Sequence, residues 1–476
     1  MLRSIGSVTV LALLMVGCGG GGGGGDSSPP PPPPGAIGGT VSGLVGTGLT
    51  LYVCRQVSGH GGGYCIQNTL LQIRANGAFT LYPVYPADSS GTYSLSISQQ
   101  PSSPVQRCEL SGTNVATVGS YTVLDFNFQT ANSTSLAVSC ADVLEYSYVT
   151  NAADNTVSSY SVDVTTGAVA VIGAPTVTGA SPYAIVGVDK RYVFVGNEGS
   201  NDVSAFAINS TTGAWTAVPG SPFPAGTDPR AMALADNNIL YVANAGSDNV
   251  SAYSIDQTSG TLTVQPGSPV AAGKSPTSIV IDYFFSSYVF VANHGGSNDI
   301  SVFSIDDPTT GALTPVVGSP FPAGGNPLSL ALGAGGKFLY SANPDATNPS
   351  ISGFSVDPPT HALSPLSGSP FPLPVSHYMA SDKTGSYLYV TSGTNIVGYA
   401  IDATTGALTP LPGFPVAAGA NAYSITVDSA NQVLYVTNDG AANVSCFTLD
   451  ATTGALTPMA GSPFPAGNRP EFIATF

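Results

Sequence analysis

The chain is 476 residues long, carries a formal net charge of −16 at pH 7 and is only 8% charged, so its surface must be built from uncharged polar residues and turns. Eleven Lys and Arg against 27 Asp and Glu repel phosphate backbones and anionic headgroups, which argues against a nucleic-acid partner. With 57 Gly and 39 Pro between short runs of Val, Ile, Leu, Tyr and Phe, helices should be few, and the length allows two or three all-β domains.

In chain order, residues 1–17 read as an export signal. Arg3 gives a positive start and Ile5 to Val16 is an apolar stretch too short to span a bilayer. Met15-Val16-Gly17-Cys18 is similar to a bacterial lipobox, with Leu more usual than Met at its first position. Cleavage before Cys18 would leave a lipidated cysteine, the only membrane contact the sequence calls for; a plain signal peptide is the alternative. By resemblance to Gram-negative lipoproteins, Gly19 in place of Asp implies the outer membrane. Residues 18–35 are a tether: seven consecutive Gly, then Pro29 to Pro34 as a stiff spacer.

Residues 36–142 predict a β-sandwich spacer, from runs such as Gly48-Leu-Thr-Leu-Tyr-Val53 and Thr92-Tyr-Ser-Leu-Ser-Ile97 separated by turns. The phrases GTVSGL and ANGAFT and the late cysteine pair resemble Ig-like or transthyretin-like modules of bacterial surface proteins, which implies a stalk without chemistry. Cys54, Cys65, Cys108 and Cys140 suit two disulfides in an exported protein, most simply Cys54–Cys65 and Cys108–Cys140, though three pairings are open. Cys446 stands where other repeats place a small residue and reads as a buried free thiol.

Residues 143–476 are periodic. The aromatic of Tyr-Val-x-Asn and its variants falls at Tyr148, Phe194, Tyr241, Phe290, Tyr340, Tyr389 and Tyr435, in steps of 46, 47, 49, 50, 49 and 46. Seven copies at this period predict a seven-bladed β-propeller of four-stranded blades, lettered A to D from the axis outward. The first copy starts at strand B, while Arg469 to Phe476 matches strand A of the others, so the C-terminal strand should complete the first blade and close the ring. The phrase GSPFPAG, at Gly220, Gly318 and Gly461, follows strand D and leads back to the axis; its prolines suit an exposed edge.

YVTN at Tyr148 and Tyr435, with NDVSAF, NVSAYSID and TTGALTP, is similar to the YVTN and lactonase-like seven-bladed propellers of bacteria. That resemblance implies the fold and, in members resembling 6-phosphogluconolactonase, a Pro-Arg-His at the head of one strand A with Asn-Glu after the following strand B. Here Asn197-Glu198 follows a strand headed by Pro182-Tyr183, and Pro229-Arg230 is followed by Ala231. The pieces are scattered over different blades, which counts against phosphogluconolactone hydrolysis, as does the acidity.

Comparison of the repeats singles out the residue after the Pro at the head of strand A: Tyr183, Arg230, Thr277, Leu328, His377, Tyr423 and Glu471, with Ser376 and Ala422 replacing the Pro in two copies. The flanks repeat and this position does not. Symmetry places the seven on one face around the axis, as a ligand ring or as a self-paired plug. The B–C turns open on the same face and add Glu198 and His294; their Asn and Asp content is what turns require. His60 and His361 fall in loops without evident partners, and Trp215 replaces the Leu of other repeats as a packing residue. No calcium loop, Cys/His metal spacing, nucleotide fingerprint or Gly-x-Ser-x-Gly occurs, so neither metal nor cofactor is implied.

Three functions follow as expectations. The first is an exported module displaying a binding face for a small molecule or protein. The second is a lactone or ester hydrolase with His377 as base and Arg230 stabilising the oxyanion. The third is an envelope scaffold.

Overall fold

The computed structural model describes residues 37–475, apart from 43, 45–48, 58–63, 82–91, 100–105, 112–114, 119–120, 128–132, 143, 164–168, 189, 210–211, 236–237, 283–286, 308, 346, 374–377 and 429–432. Cys18, His60 and His377 therefore lie outside the described residues, as do the side chains of Cys54, Cys65, Cys108 and Cys140. Contacts divide the chain into two units, one essentially up to Ala141 and one from Asp142 to Phe476.

The first unit holds a four-stranded and a five-stranded sheet. In the first, Ile37–Ser42 pairs antiparallel with Gly77–Leu81 and parallel with Ser133–Asp142. In the second, Thr50–Val57 lies between Tyr64–Gln72 and Thr92–Gln99. Val41, Leu49, Leu51, Phe79 and Val138 are buried.

The second unit is the propeller. Blade 3 shows the pattern: strand A is Pro229–Ala235, B is Ile239–Asn244, C is Asn249–Ile255 and D is Leu262–Val264, each antiparallel to the next. All six residues of B are buried, because the blade is covered on both faces. Seven apolar clusters fill the unit, and each spans the interface between two sequence-adjacent blades or, for Val149, Tyr160 and Ile473 with Tyr435 and Cys446, the last and the first. The fold is thus held by hydrophobic burial between blades, which explains why so few charges suffice. Trp215 packs on Tyr148 and Phe206, with ring centroids 4.7 and 5.0 Å apart, and Cys446 is a buried free thiol.

Ring closure follows the expected route. Pro470–Thr475 pairs antiparallel with Leu144–Asn151, with Tyr148 opposite Ala474 and Val149 opposite Ile473, and so supplies strand A of blade 1.

Two details depart from the sequence reading. Each blade carries a fifth, two-residue strand beyond the four expected. In blade 2 it is Phe223–Pro224 of GSPFPAG itself, which pairs with the start of strand C while D pairs with its end. The phrase is therefore a strand as well as a crossing, and strand C leaves neither half of its outer edge bare. Ser221 reinforces it: its hydroxyl accepts from the Ala205 amide at 2.8 Å. The second departure is His361. It occupies the glycine slot of TTGAL at φ 53°, is buried, stacks on Tyr288 with centroids 3.3 Å apart, and places Nε2 3.5 Å from Asp282. Burial holds its pKa below the usual histidine value.

Candidate functional site at the strand-A mouth

The antiparallel pairing fixes which residues share a face. The head of strand A lies opposite the last residue of strand B, as in Pro182 with Asn197, Pro229 with Asn244, Pro276 with Asn293 and Pro470 with Asn151. Strand-A heads and B–C turns therefore surround one mouth. The terminal Asn of strand B is a clasp. Asn244 Nδ2 donates to Asn249 and Ser251, and its Oδ1 accepts from the Gly226 amide at 3.1 Å. A Cβ on Gly226 would fall 2.5 Å from Asn244 Cγ, so the repeated Asn and the Gly of GSPFPAG require each other.

The residue before each head is left-handed: Ser181, Asp228, Ser275, Asn421 and Arg469 have φ of 53°, 57°, 49°, 52° and 56°. In two blades it forms an ion pair with the residue two positions on. Asp228 accepts from Arg230 Nε at 3.0 Å, and Arg469 Nε donates to Glu471 at 2.7 Å.

Arg230 organises one side of the mouth. Its Nη2 donates to Glu198 Oε1 at 2.9 Å, and its guanidinium lies 5.6 Å from the centroid of the Tyr183 ring. Burial works against its charge, but Glu198, Tyr183 and Asp228 outweigh it and raise its pKa. The apparently scattered Asn-Glu and Pro-Arg thus meet, because B–C turns and strand-A heads of neighbouring blades share the mouth. His294, on the B–C turn of blade 4, stands close enough to feel that charge: burial first, and Arg230 in addition, lower its pKa. Its Nε2 is 3.3 Å from Asn326 Nδ2.

Across the mouth the tyrosines converge. The hydroxyl of Tyr183 is 2.6 Å from that of Tyr423 and 2.8 Å from that of Tyr378. Blade 2 thereby touches blades 6 and 7 across the axis, and Phe472 packs on Tyr183 and Tyr378 at centroid distances of 5.1 and 4.9 Å. Burial drives the Tyr378 hydroxyl up to about 12 and those of Tyr183 and Tyr423 higher, so all three stay protonated hydrogen-bond donors. Glu471 lies beside them at 1% exposure. Burial raises its pKa to about 7, against the pull of Arg469.

Of the sequence candidates, Tyr183, Arg230, Tyr423, Glu471, Glu198 and His294 all border this mouth. Thr277 and Leu328 do not offer groups to it in the same way, because the Thr277 hydroxyl is spent on the Leu328 carbonyl at 3.0 Å. Tyr378 was missed in favour of its neighbour His377. Four unpartnered acceptor positions border the mouth: Glu198 Oε2, Glu471 Oε2, Asn326 Oδ1 and His294 Nδ1. Among the described residues, no three of His, Cys, Asp and Glu are grouped to hold a metal ion.

Comparison with known proteins places this architecture. The family model for the seven-bladed β-propeller lactonases matches residues 99–220, 189–281 and 371–468. No curated protein matches the chain by sequence. Among solved structures, a candidate 6-phosphogluconolactonase from Bacteroides uniformis superposes with a TM-score of 0.60 at 16% identity, covering 71% of this chain and 100% of its own. The periplasmic gluconolactonase PpgL of Pseudomonas aeruginosa gives 0.58 at 17%, covering 70% and 99%. At these identities the likeness is one of fold.

Proposed function

Since the chain belongs to the lactonase family of seven-bladed β-propellers, we propose that it hydrolyses lactones or related esters at the strand-A mouth, with Glu198 as general base and Arg230 as the oxyanion-stabilising group. The observation that carries this reading is the Arg230–Glu198 pair at 2.9 Å, with the second carboxylate oxygen of Glu198 unpartnered. Arg230 and Glu198 keep 31% and 23% of their side chains open, so a ligand can reach both. In this scheme Glu198 takes a proton from water as the water oxygen attacks the lactone carbonyl. The guanidinium receives the negative charge that develops on the carbonyl oxygen. The ring C–O bond then breaks and the leaving oxygen takes up a proton, giving the hydroxy acid. The base role sought in His377 is here carried by a carboxylate.

The test is turnover of a panel of uncharged lactones and of 6-phosphogluconolactone by the mature chain. Glu198→Gln and Arg230→Ala should each lower kcat/KM by about 100-fold or more, the usual scale for a positioned base or oxyanion donor. The phosphorylated substrate should be the poorer one, because both guanidiniums of the mouth are already paired with carboxylates. Turnover indifferent to Glu198→Gln would remove the assignment. No turnover, with lactone-dependent thermal shifts lost in Arg230→Ala, would favour the ligand-displaying module instead of the enzyme.

The propeller is proposed to act in the cell envelope, anchored through Cys18 to the outer membrane. Its support is the lipobox-like Met15-Val16-Gly17-Cys18 and the Gly/Pro tether behind it. Metabolic labelling with a clickable palmitate should mark the wild-type chain and not Cys18→Ala; an unlabelled wild type overturns the anchor.

A further inference from the structure

The propeller contains two carboxylates that are almost inaccessible and built in opposite ways. Asp382, at the A–B turn of blade 6, is 2% exposed and saturated: it accepts from the amides of Thr384, Ser386 and Tyr387 at 2.7 to 3.0 Å and from the Thr384 hydroxyl. That is how a structural carboxylate is accommodated. Glu471 is 1% exposed, has one oxygen on Arg469 and leaves Oε2 without a partner. An unpartnered buried carboxylate oxygen costs stability, and a purely architectural position would have been filled by an apolar residue. What lies beside it is a chain of hydroxyls, Tyr423 to Tyr183 to Tyr378, of which Tyr423 is the member open to the mouth.

We propose that Glu471 and these tyrosines form a proton-holding chain that serves the mouth, with Tyr423 presenting the proton to the ligand and Glu471 a positioning residue acting through it. The inference rests on the hydrolase reading above and deepens it by supplying the acid that the scheme leaves open. When the lactone ring opens, the Tyr423 O–H donates its proton to the leaving oxygen. The Glu471 carboxyl O–H donates to the Tyr423 oxygen and is left as a carboxylate beside Arg469. The proton Glu198 removed from water returns through the mouth and restores the starting state, so no proton is gained or lost. The groups that face Glu471 fit a carboxyl poised between its two forms. Arg469 on its own strand and the Tyr423 hydroxyl from blade 7 favour the anion; burial, Asp439 on the B–C turn of blade 7 and Glu198 from blade 2 oppose it.

Two readouts test the chain. The first needs no substrate: an infrared pH titration of the mature protein. A buried carboxylic-acid band should titrate near neutrality, vanish in Glu471→Gln, and shift in frequency in Tyr423→Phe, which keeps the ring and removes only the hydroxyl. A band unmoved by Tyr423→Phe, or none lost in Glu471→Gln, overturns the proposal. The second is kinetic, with δ-valerolactone. Tyr423→Phe and Glu471→Gln should each reduce kcat by about 100-fold with little change in KM, and the double variant should be no worse than either. Each should also abolish the near-neutral limb of the pH–kcat profile. Additive losses, or a limb retained in Tyr423→Phe, overturn it. A wild type without turnover sinks the hydrolase reading but not the chain, which the infrared titration then decides alone.

Discussion

A chain ending at Asn468 should not show the cooperative melting transition of the propeller. Removing residues 469–476 takes away the inner strand of blade 1, and with it every contact by which blade 7 is joined to blade 1 at the axis. Several losses coincide. The ladder between Pro470–Thr475 and Leu144–Asn151 disappears, along with the Thr150 hydroxyl's bonds to the Phe472 amide and carbonyl at 3.0 and 3.3 Å and the Ala152 amide's bond to the Arg469 carbonyl at 2.9 Å. Ile473, 6% exposed within the cluster between blades 7 and 1, leaves a hole, and Phe472 no longer covers Tyr183 and Tyr378. Burial of two large apolar side chains is worth about 1.5 to 3 kcal/mol each and each hydrogen bond about 1 kcal/mol. The sum approaches the 5 to 15 kcal/mol that holds a typical domain together. A ring also has no partial solution, since an unclosed propeller exposes the faces of two blades at once. Thermal melting followed by circular dichroism decides the matter. A truncated chain that melts cooperatively within a few degrees of the intact one would show that closure contributes little.

That closure was legible because a repeat declares its own missing piece: the first copy lacked strand A and the chain ended on one. The blade interior was legible for the same reason, since strand B is apolar at every position in all seven copies. The mouth was legible only as a set of positions. Repeat alignment marked the strand-A head, but the pairing shows an irregularity there in blades 1, 2, 3, 4 and 7, for instance between Pro182 and Ile185. A bulge re-aims the side chains beside it, and a count of residues cannot see one. In blade 6 regular pairing begins at Met379, and Tyr378, directly before it, joins the tyrosines. The adjacent aromatics His377-Tyr378 were the available signal. The Glu198–Arg230 pair was hidden differently. Sequence comparison treats each blade as a separate copy, while the contact is made between copies, across 32 positions of chain. His361 escaped because glycine in that slot is read as turn chemistry, and nothing local shows that the next face offers Asp282 and Tyr288.

The second large effect concerns pH and isolates Glu471 from every other group. Its pKa in the folded protein, raised by burial to about 7, lies above that of an unfolded glutamate near 4.3. Between those two values the folded state holds a proton that the unfolded state has released. Stability therefore falls as pH rises through this window, and the fall is complete once pH passes the folded value. Its size is on the order of 3 kcal/mol. Glu471→Gln keeps the volume and cannot titrate, so melting temperatures of the wild type and the variant should converge toward pH ~4 and separate steadily up to pH ~8, with the variant the more stable there. The pair with Arg469 does not reverse the sign, because the folded pKa already includes it and still lies high. Arg469→Ala should act the other way, raising the carboxyl further and moving the window to higher pH. Parallel pH–melting curves for wild type and Glu471→Gln would mean that the carboxyl titrates as an ordinary glutamate, and that its burial beside three tyrosines has no electrostatic consequence.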